Sequence, residues 1–337
     1  MRRFLKFSSL PFIFSAIAIL LLVFSCAPYG FFWGQFGADD VDTRSPSVRA
    51  LRDINSSYLP DLASQTPPIS SIYSILIITD VHFGAERENL DETAFLDWLD
   101  SWFQKYSAGD SKDETKLPRF VINLGDTADG GLREQFADYV QFEKKIKKIG
   151  GAYLYSETDE TADSERKFKV YSILGNHDLY HNGAPHFEEL LFPYISSYFF
   201  TIDTAPSDSY DGFSFYFLDT ANGTMGTKQL DDFKEKLSHD STPKIILTHY
   251  PVYAGGSDMF MIIQNSIERN TILTYFAKGN VKQVYEGHAH KNYGFDFKTF
   301  REEVIGSLRF SARDKKQCAI ITVDEKNQSA STEVITF

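Results

Sequence analysis

The stretch "IYSILIITDVH", residues 72–82, joins an apolar run to two polar side chains. Residues 72–78 are almost continuously apolar, which is typical of a strand that is covered on both faces. Asp80 and His82 follow directly after the run. The stretch therefore predicts an interior strand that presents a carboxylate and an imidazole at its carboxyl end.

Further short apolar runs follow the same pattern, and helical patterns separate several of them. The runs cover residues 120–124, 170–174, 213–218, 244–247 and 281–285. Apolar residues recur on one helical face in residues 90–106, 133–149 and 229–237. This alternation predicts an α/β layered domain. Apolar runs without helices between them, near residues 302–310, 317–323 and 331–337, predict antiparallel strands that complete the sheet.

Polar clusters follow five of these runs. Ligands in α/β sheets bind outside the carboxyl ends of strands, so we expect the clusters to face one crevice. They supply seven oxygen or nitrogen ligands: Asp80, His82, Asp126, Asn176, His249, His288 and His290. One ion would leave some of these ligands unused, whereas two divalent ions that share a carboxylate use the whole set.

Glycine precedes three of the clusters, at positions 125, 175 and 287. A glycine permits a sharp turn and a close approach of the backbone to a bound ion. The short spacing of His288 and His290 suits a pair of rings aimed at one region. Together these features predict a binuclear metal site.

The order of these blocks resembles the calcineurin-like metallophosphoesterase superfamily. The blocks are Asp-x-His, Gly-Asp-x-x-Asp, Gly-Asn-His-Asp, His and Gly-His-x-His, in that order between Asp80 and His290. The resemblance covers about two thirds of the chain, and it implies a four-layer α/β/β/α sandwich. That fold agrees with the order of elements predicted above.

The resemblance also implies a role for each matching residue. The first metal is then held by Asp80, His82, Asp126 and His290, and the second by Asn176, His249 and His288, with Asp126 bridging the two. His177 faces the substrate, and Asp178 orients His177. Asp129 matches a carboxylate that often lies just behind the bridge. His181 and His186 follow the Gly-Asn-His-Asp block and are candidate substrate contacts.

Phosphoester hydrolysis explains this set of residues. Two cations about 3.5 to 4 Å apart neutralise the phosphate charge and generate a hydroxide near pH 7. The hydroxide that bridges them attacks phosphorus in line, and protonated His177 stabilises the phosphoryl oxygens or protonates the leaving oxygen. The mixed nitrogen and oxygen ligands suit manganese, iron or zinc. We expect a metal-dependent phosphodiesterase or phosphatase that acts on a small or lipid-linked phosphoester.

Two alternatives remain open at this point. One is a surface lipoprotein that keeps the fold for binding and has lost catalysis, and the other is an exported phosphodiesterase of nucleotides or nucleic acid. The chain has 46 acidic and 34 basic residues and a net charge of −12. Such a surface repels polyanions, so no nucleic acid partner is expected.

The first residues are typical of an export signal. Arg2, Arg3 and Lys6 precede the apolar residues 10–24, and Cys26 follows in a context that resembles a bacterial lipobox. The alternative is an uncleaved membrane anchor, because about 20 apolar residues span a bilayer. We therefore predict a leader or anchor in residues 1–25, a tether in 26–71 with a short helix near 48–54, and the phosphoesterase domain in 72–337. Lipidation of Cys26 would attach the protein to the membrane in the bacterial cell envelope, outside the cytoplasm.

Overall fold

Two β-sheets form the centre of the protein. The structure, a computed structural model, describes residues 41–44, 51–54, 62, 65–85, 92–155, 167–204, 212–253, 261–309 and 315–336. The described strands are β1 (Arg52–Asp53), β2 (Ile72–Ile78), β3 (Pro118–Asn123), β4 (Val170–Ser172), β5 (Tyr198–Ile202), β6 (Phe213–Leu218), β7 (Lys244–Thr248), β8 (Val281–Glu286), β9 (Tyr293–Asp296), β10 (Arg301–Val304), β11 (Gln317–Asp324) and β12 (Ser329–Thr336).

Helices cover the outer faces of the two sheets. The described α-helices are α1 (Val41–Arg44), α2 (Thr93–Ser107), α3 (Arg133–Leu154), α4 (Ala184–Leu190), α5 (Gly226–His239) and α6 (Ser266–Lys278). Short 3-10 turns occur at Gly109–Ser111, Glu114–Lys116 and His177–Asn182. Within the described residues, no helix combines the length and the apolar character that crossing a membrane requires.

The strand order places the predicted ligand blocks in two parallel groups. The larger sheet has the order β1-β5-β6-β7-β8-β10-β9, and the smaller sheet has the order β12-β11-β2-β3-β4. Strands β2, β3 and β4 are parallel to one another, and so are β6, β7, β8 and β10. The carboxyl ends of each group therefore lie along one edge of its sheet.

Strand β2 shows why the opening run is almost entirely apolar. Its alternate residues Ile75 and Ile77 pack between the two sheets, in a core that also contains Phe120 and Phe215. The intervening residues, such as Leu76, pack against the helical layer of α2 and α3. Because both faces of the strand are covered, a polar side chain needs a partner inside the protein, as Ser74 has in Thr115 O at 2.6 Å.

The third part of the core lies between the larger sheet and helices α5 and α6. Phe233 of α5 and Phe276 of α6 are buried there against Ile246 and Val284. The layers therefore follow the order helices, small sheet, large sheet, helices. This confirms the predicted four-layer α/β/β/α sandwich.

The structure departs from the predicted elements in two places. Strand β10 pairs in parallel with β8, although an antiparallel closure was predicted. Antiparallel pairing is found on the other side of β10, with β9, and at β11 with both β2 and β12. The helix predicted near 48–54 is wrong for Arg52–Asp53, which pairs in parallel with β5 and extends the larger sheet.

The described parts of residues 26–71 contact the domain. Asp42 accepts hydrogen bonds from Thr227 N at 3.0 Å and Lys228 N at 2.9 Å, at the first turn of α5. Leu51 is buried, and its amide donates to Asp232 at 2.7 Å. The predicted division of the chain at residues 25 and 71 stays a prediction, but these described segments are packed rather than free.

Candidate active site

The site lies where the carboxyl ends of the two parallel groups meet. His288, after β8 of the larger sheet, donates its amide hydrogen to Asp80 Oδ2 of the smaller sheet at 3.0 Å. His249, after β7, donates Nδ1–H to Leu124 O, after β3, at 2.8 Å. Backbone bonds also join the two sheet edges, since Leu308 N donates to Thr79 O at 2.9 Å. The two sheets therefore hold one set of polar side chains between them.

Several of these residues adopt a backbone conformation that side chains rarely tolerate. The φ angle is 53° at Asp80, 53° at His82, 50° at Asp126, 67° at His288 and 52° at His290. Each non-glycine residue in the left-handed region costs on the order of 1 kcal/mol or more. Strain of this kind clusters at functional sites, because the surrounding structure enforces it.

All three glycines noted in the sequence are required by close packing: a Cβ at Gly125 would lie 2.6 Å from Gly175 N, and the other two pack against carboxylates of the site. A Cβ at Gly175 would lie 2.1 Å from Asp126 N and 2.2 Å from Asp126 Oδ1. A Cβ at Gly287 would lie 2.2 Å from Thr79 Oγ1 and 2.8 Å from Asp80 Oδ2. Any larger residue would therefore displace a carboxylate of the site.

The structure brings the four residues predicted for the first metal together. One ligand atom from each of Asp80, His82, Asp126 and His290 lies within 4.8 Å of the others. His290 Nε2 is 3.2 Å from Asp80 Oδ1 and 3.1 Å from His82 Nε2. Ligand atoms that surround one ion at about 2.1 Å are separated by distances of this order.

The residues predicted for the second metal also converge. Ligand atoms of Asp126, His249 and His288 lie within 4.8 Å of one another. Asn176 belongs to the same group, since its Oδ1 is 3.0 Å from His249 Nε2. The two oxygens of Asp126 face opposite groups, with Oδ1 3.4 Å from His249 Nε2 and Oδ2 3.6 Å from His82 Nε2. That placement suits a carboxylate that bridges two ions.

The arrangement fits bound cations because its buried ligand atoms are short of partners. His288 Nε2 is buried and forms no hydrogen bond with the described residues, and the buried Asp80 Oδ1 faces the His290 imidazole, itself a predicted ligand, at 3.2 Å. His82 donates Nδ1–H to Asp129, so its Nε2 is an acceptor when the ring is neutral, and it faces His290 Nε2. The two nitrogens are 3.1 Å apart, a spacing that a proton or a cation between them satisfies.

Neighbouring charges and burial change the pKa values of the residues in the site. Burial alone would raise the pKa of the Asp80 carboxyl, but His290 beside it lowers that pKa to about 2. Burial opposes the charge of His249 as well, yet Asp126 raises the pKa of His249 to about 9. Burial and the charge of His249 lower the pKa of His288 to about 3, so its ring is neutral. Without bound ions, the site balances its carboxylates with protonated His249.

Asp129 and His177 lie beside the first metal group. Asp129 Oδ1 accepts a hydrogen bond from His82 Nδ1 at 3.0 Å, which fixes the ring of this ligand from behind. His177 donates Nδ1–H to the backbone oxygen of Asp129 at 2.7 Å, and its ring meets that of His82 edge-on with centroids 4.5 Å apart. His177 thus lies outside the two predicted ligand sets, although a nitrogen of its ring forms a third group of possible ligand atoms with His82 and Asp129, all within 4.8 Å of one another.

The predicted role of Asp178 is wrong. Its carboxylate does not bond to His177 but accepts Ala128 N at 2.8 Å and Gly175 N at 2.9 Å. Burial and the charge of Asp126 raise the pKa of Asp178 to about 7. Asp178 therefore fixes the loops after β3 and β4, and the Asp129 carbonyl orients His177 in its place.

The remaining predicted site residues have different locations. His181 donates Nδ1–H to Gly130 O at 2.8 Å, next to Asp129, and lies exposed near the site. His186 lies in α4, within electrostatic range of Glu189, and is in neither ligand group. Cys26 lies outside the described residues.

Three features near the site were missed in the sequence. Tyr250 stacks on the ring of His288, and Glu286 and Glu302 are buried beside that loop. Ser307 donates its hydroxyl to Asp80 O at 2.9 Å and accepts the amide of Arg309 at 2.9 Å. The one signal in the sequence that could have drawn attention to this region is Glu286, a glutamate at the end of an apolar run and directly before the Gly-His-x-His block.

The family model of the calcineurin-like phosphoesterases matches residues 73–292. The chain belongs to this family. The match includes all five blocks from Asp80 to His290, and membership makes the protein a metal-dependent phosphoester hydrolase. Use of divalent metal by this metallophosphoesterase agrees with the two groups of ligand atoms described above.

Solved structures are similar to the chain at low sequence identity. GAP50, described as the anchor in the inner membrane complex of Plasmodium, has a TM-score of 0.53 and 14% identity, over 79% of this chain and 84% of its own. A dimetal phosphatase from Danio rerio has a TM-score of 0.49 and 13% identity, over 77% and 98% of the two chains. A purple acid phosphatase from yellow lupin (Lupinus luteus) seeds has a TM-score of 0.48 and 13% identity, over 80% and 52%. No curated protein matches the sequence.

Proposed function

We propose that this metallophosphoesterase hydrolyses small or lipid-linked phosphoesters with two divalent ions. The observation that supports this best is the placement of the Asp126 carboxylate, whose two oxygens face separate groups of ligand atoms. The first ion would be held by Asp80, His82, Asp126 and His290, and the second by Asp126, Asn176, His249 and His288. The buried Asp80 Oδ1, which faces His290 at 3.2 Å, and the buried, unpartnered His288 Nε2 supply one ligand atom to each group.

Two bound ions supply the charge that neutralises the phosphoryl group and make a hydroxide nucleophile available near neutral pH. Residues around the ligands hold the ligand groups in fixed positions. Asp129 holds the ring of His82 by its 3.0 Å hydrogen bond, and the amide of His177 holds Asp126 Oδ1 at 2.7 Å. These bonds fix the carboxylate and imidazole groups before substrate arrives, which reduces the cost of ordering them during the reaction.

His177 is the proposed proton donor. Its Nδ1–H is engaged by the Asp129 carbonyl at 2.7 Å, which leaves Nε2 as the nitrogen that exchanges protons with substrate. The side chain is 30% exposed, whereas those of His82 and His249 are 2% and 0% exposed. A histidine in this position can protonate the leaving oxygen at the mouth of the site.

Arg309 supplies a positive charge on the same side of the site. Its Nε is buried and has no hydrogen-bond partner among the described residues. The hydrogen bond from His82 and, in addition, the charge of Arg309 lower the pKa of Asp129. We infer that the guanidinium group of Arg309 attracts phosphoryl oxygens towards His177, since guanidinium groups bind phosphate through paired N–H donors.

Manganese, iron and zinc all suit the mixed ligands of the proposed binuclear site. The test is reconstitution of purified, metal-free protein with each ion, followed by elemental analysis and assays on aryl phosphate monoesters and diesters. We expect about two ions per chain and hydrolysis that a chelator abolishes. Hydrolysis that persists at full rate after the ions are removed would overturn the proposal. Preference for monoester or diester assigns the phosphatase or phosphodiesterase activity.

A binding module without catalysis is the second candidate. It is favoured by the fold shared with GAP50, whose description as an anchor shows that the fold can serve attachment. The complete set of seven ligand residues favours the enzyme, because a binding protein has no need to keep it. A folded, metal-free and inactive protein after reconstitution would support the binding module. An exported phosphodiesterase of nucleotides or nucleic acid is a further alternative, and the net charge of −12 disfavours an extended polyanion.

We further propose that the enzyme is exported and attached to the membrane through lipid on Cys26. Support comes from Arg2, Arg3 and Lys6 before the apolar residues 10–24. The mass of the mature protein from bacterial membranes tests this. We expect a chain that begins at lipid-modified Cys26, and a Cys26→Ser variant that is released from membranes. A mature chain that begins at Met1 would identify an uncleaved anchor.

A further inference from the structure

The ligand histidines are held in place in different ways. His82 and His249 each donate Nδ1–H to a protein oxygen, at Asp129 and Leu124. His288 forms no hydrogen bond through its ring with any described residue, and its Nε2 is buried. Its ring lies instead against that of Tyr250, with the centroids 3.8 Å apart and the planes inclined by 28°. Contact with an aromatic face therefore orients this ligand.

Tyr250 is itself fixed by the surrounding structure. The side chain is buried, and its backbone amide donates to the Thr220 hydroxyl at 2.9 Å. The strand end that carries it is bound to the strand end of His288, because Gly287 N donates to His249 O at 3.0 Å. A ring held at both backbone and side chain can limit the rotation of its stacked neighbour.

A buried pair of carboxyl groups holds the next part of the same loop. Glu286 Oε1 accepts the amide of Val252 at 2.9 Å, and Glu302 Oε1 accepts the amide of Tyr253 at 2.5 Å. Glu286 and Glu302 lie on the same face of neighbouring parallel strands, since Glu302 pairs with Val284 and Val304 pairs with Glu286. Both are buried, and burial raises the pKa of each carboxyl. Two backbone hydrogen bonds thus anchor the loop directly after Tyr250.

We propose that Tyr250 is the positioning residue of the second metal. The stacked ring keeps His288 in the orientation that aims Nε2 at the group formed by Asp126, Asn176 and His249. The Thr220 hydroxyl and the Glu286–Glu302 pair keep Tyr250 in place. This inference rests on the proposed binding of a second ion, and it concerns the affinity for that ion rather than the chemistry at phosphorus.

The inference predicts a selective effect on one of two binding steps. Outer contacts of a metal ligand typically change metal affinity by about 10-fold to 100-fold. Tyr250→Leu removes the aromatic face and should weaken the second binding step by about tenfold or more, while the first step stays within about twofold. Tyr250→Phe keeps the face and should bind both ions like the wild type.

The measurement is calorimetric titration of metal-free protein with Mn²⁺, together with the melting temperature of each metal-free variant. Tyr253→Leu is the matched control, because Tyr253 lies in the same loop but its ring contacts Phe295 and Phe297 rather than a histidine. Equal weakening by Tyr253→Leu and Tyr250→Leu would show a general effect of the loop and overturn the proposal. So would normal binding of both ions by Tyr250→Leu.

If Tyr250→Leu fails to fold, Thr220→Val takes its place. This variant keeps the shape of Thr220 but removes the acceptor of the Tyr250 amide. We expect a loss of several-fold in the second binding step, and an unchanged second step would overturn the proposal. Failure of the wild type itself to bind a second ion would instead refute the proposed binuclear function, so the two failures are distinguishable.

Discussion

The two halves of the proposed metal centre, one for each ion, differ in how far the fold covers them. In the first half, Asp80 and His82 are buried, but the side chain of His290 is 31% exposed, and Asp129 behind His82 is 32% exposed. In the second half, His249 and His288 are buried, as is Asn176. The first half therefore reaches the mouth of the site at His290, on the side where the partly exposed His177 lies against Asp129. The second half is part of the interior, so its geometry depends on packing.

The two halves therefore have different roles: the first is open to substrate, and the second is held in place by packed neighbours. A residue at the open half can meet substrate and exchange protons with water. A residue at the closed half acts through the rigidity of its neighbours, as the stack of Tyr250 on His288 shows. Substitutions in the two halves should therefore differ in kind, with effects on turnover at the mouth and on metal affinity and folding in the interior.

Asp126→Asn should have the largest effect, because Asp126 is the residue that the two halves share. The amide keeps the size of the side chain but loses the charge and one oxygen ligand. We expect loss of both ions and a fall in kcat/KM of at least about 10³-fold, measured by elemental analysis and ester hydrolysis. Asp231→Asn, at a side chain that is 66% exposed, is the control. Retention of two ions by Asp126→Asn would contradict the bridging role.

His177→Ala should affect turnover alone, since His177 belongs to the open half and to neither ligand set. Loss of a positioned proton donor lowers kcat by about 10² to 10⁴-fold. We expect metal content to stay near that of the wild type, and His239→Ala, at an exposed histidine of α5, to be fully active. Full activity of His177→Ala with a phosphodiester would refute the assigned role.

Metal binding in the closed half should depend on pH. Asp126 raises the pKa of His249 to about 9, so His249 carries a proton in the metal-free protein at pH 7 and must lose it to bind an ion. The affinity for the second ion should then rise about tenfold per pH unit between pH 7 and 9. His290→Ala removes a ligand of the first ion, so this variant isolates the second binding step. Calorimetric titration of the variant in buffers of different ionisation enthalpy would measure the number of protons released when the second ion binds.

The raised pKa of His249 also affects the folding stability of the metal-free protein. This stability falls as the pH rises, whereas the affinity for the second ion increases. Because the folded pKa of His249 lies above its ordinary value of 6.5, its contribution is complete below pH 6.5 and is lost as the pH rises through about 9. His288, with a pKa of about 3, is already neutral and adds no proton. An affinity for the second ion that does not change between pH 7 and 9 would contradict the charge assigned to His249.

The smallest expected effect concerns folding. His288→Ala opens a cavity in the closed half and should lower the free energy of unfolding of the metal-free protein by about 2 kcal/mol. His177→Ala, in the open half, removes one partly exposed hydrogen bond to the Asp129 carbonyl and should cost about 1 kcal/mol. Denaturant titration of both variants without metal measures the difference. Equal losses would show that the two halves are supported alike.

Much of the fold and of the ligand set could be predicted from local patterns. The run at residues 72–78 and the run at residues 213–218 coincide with β2 and β6, because strands covered on both faces must be apolar along their length. Helix α6 was not predicted, since its apolar residues do not mark one buried face: Ile267 is 78% exposed, whereas Ile272 and Phe276 are buried.

Local patterns along the chain identify the residues that could bind metal and their order, because each block follows an apolar strand and uses ligand side chains at fixed spacing. The support of those residues depends on the three-dimensional packing. Asp178 serves the backbone of two loops rather than His177, and Tyr250 faces a histidine 38 positions later. Such contacts leave no periodic signal in the sequence, since they arise where the edges of two separate sheets come together in space.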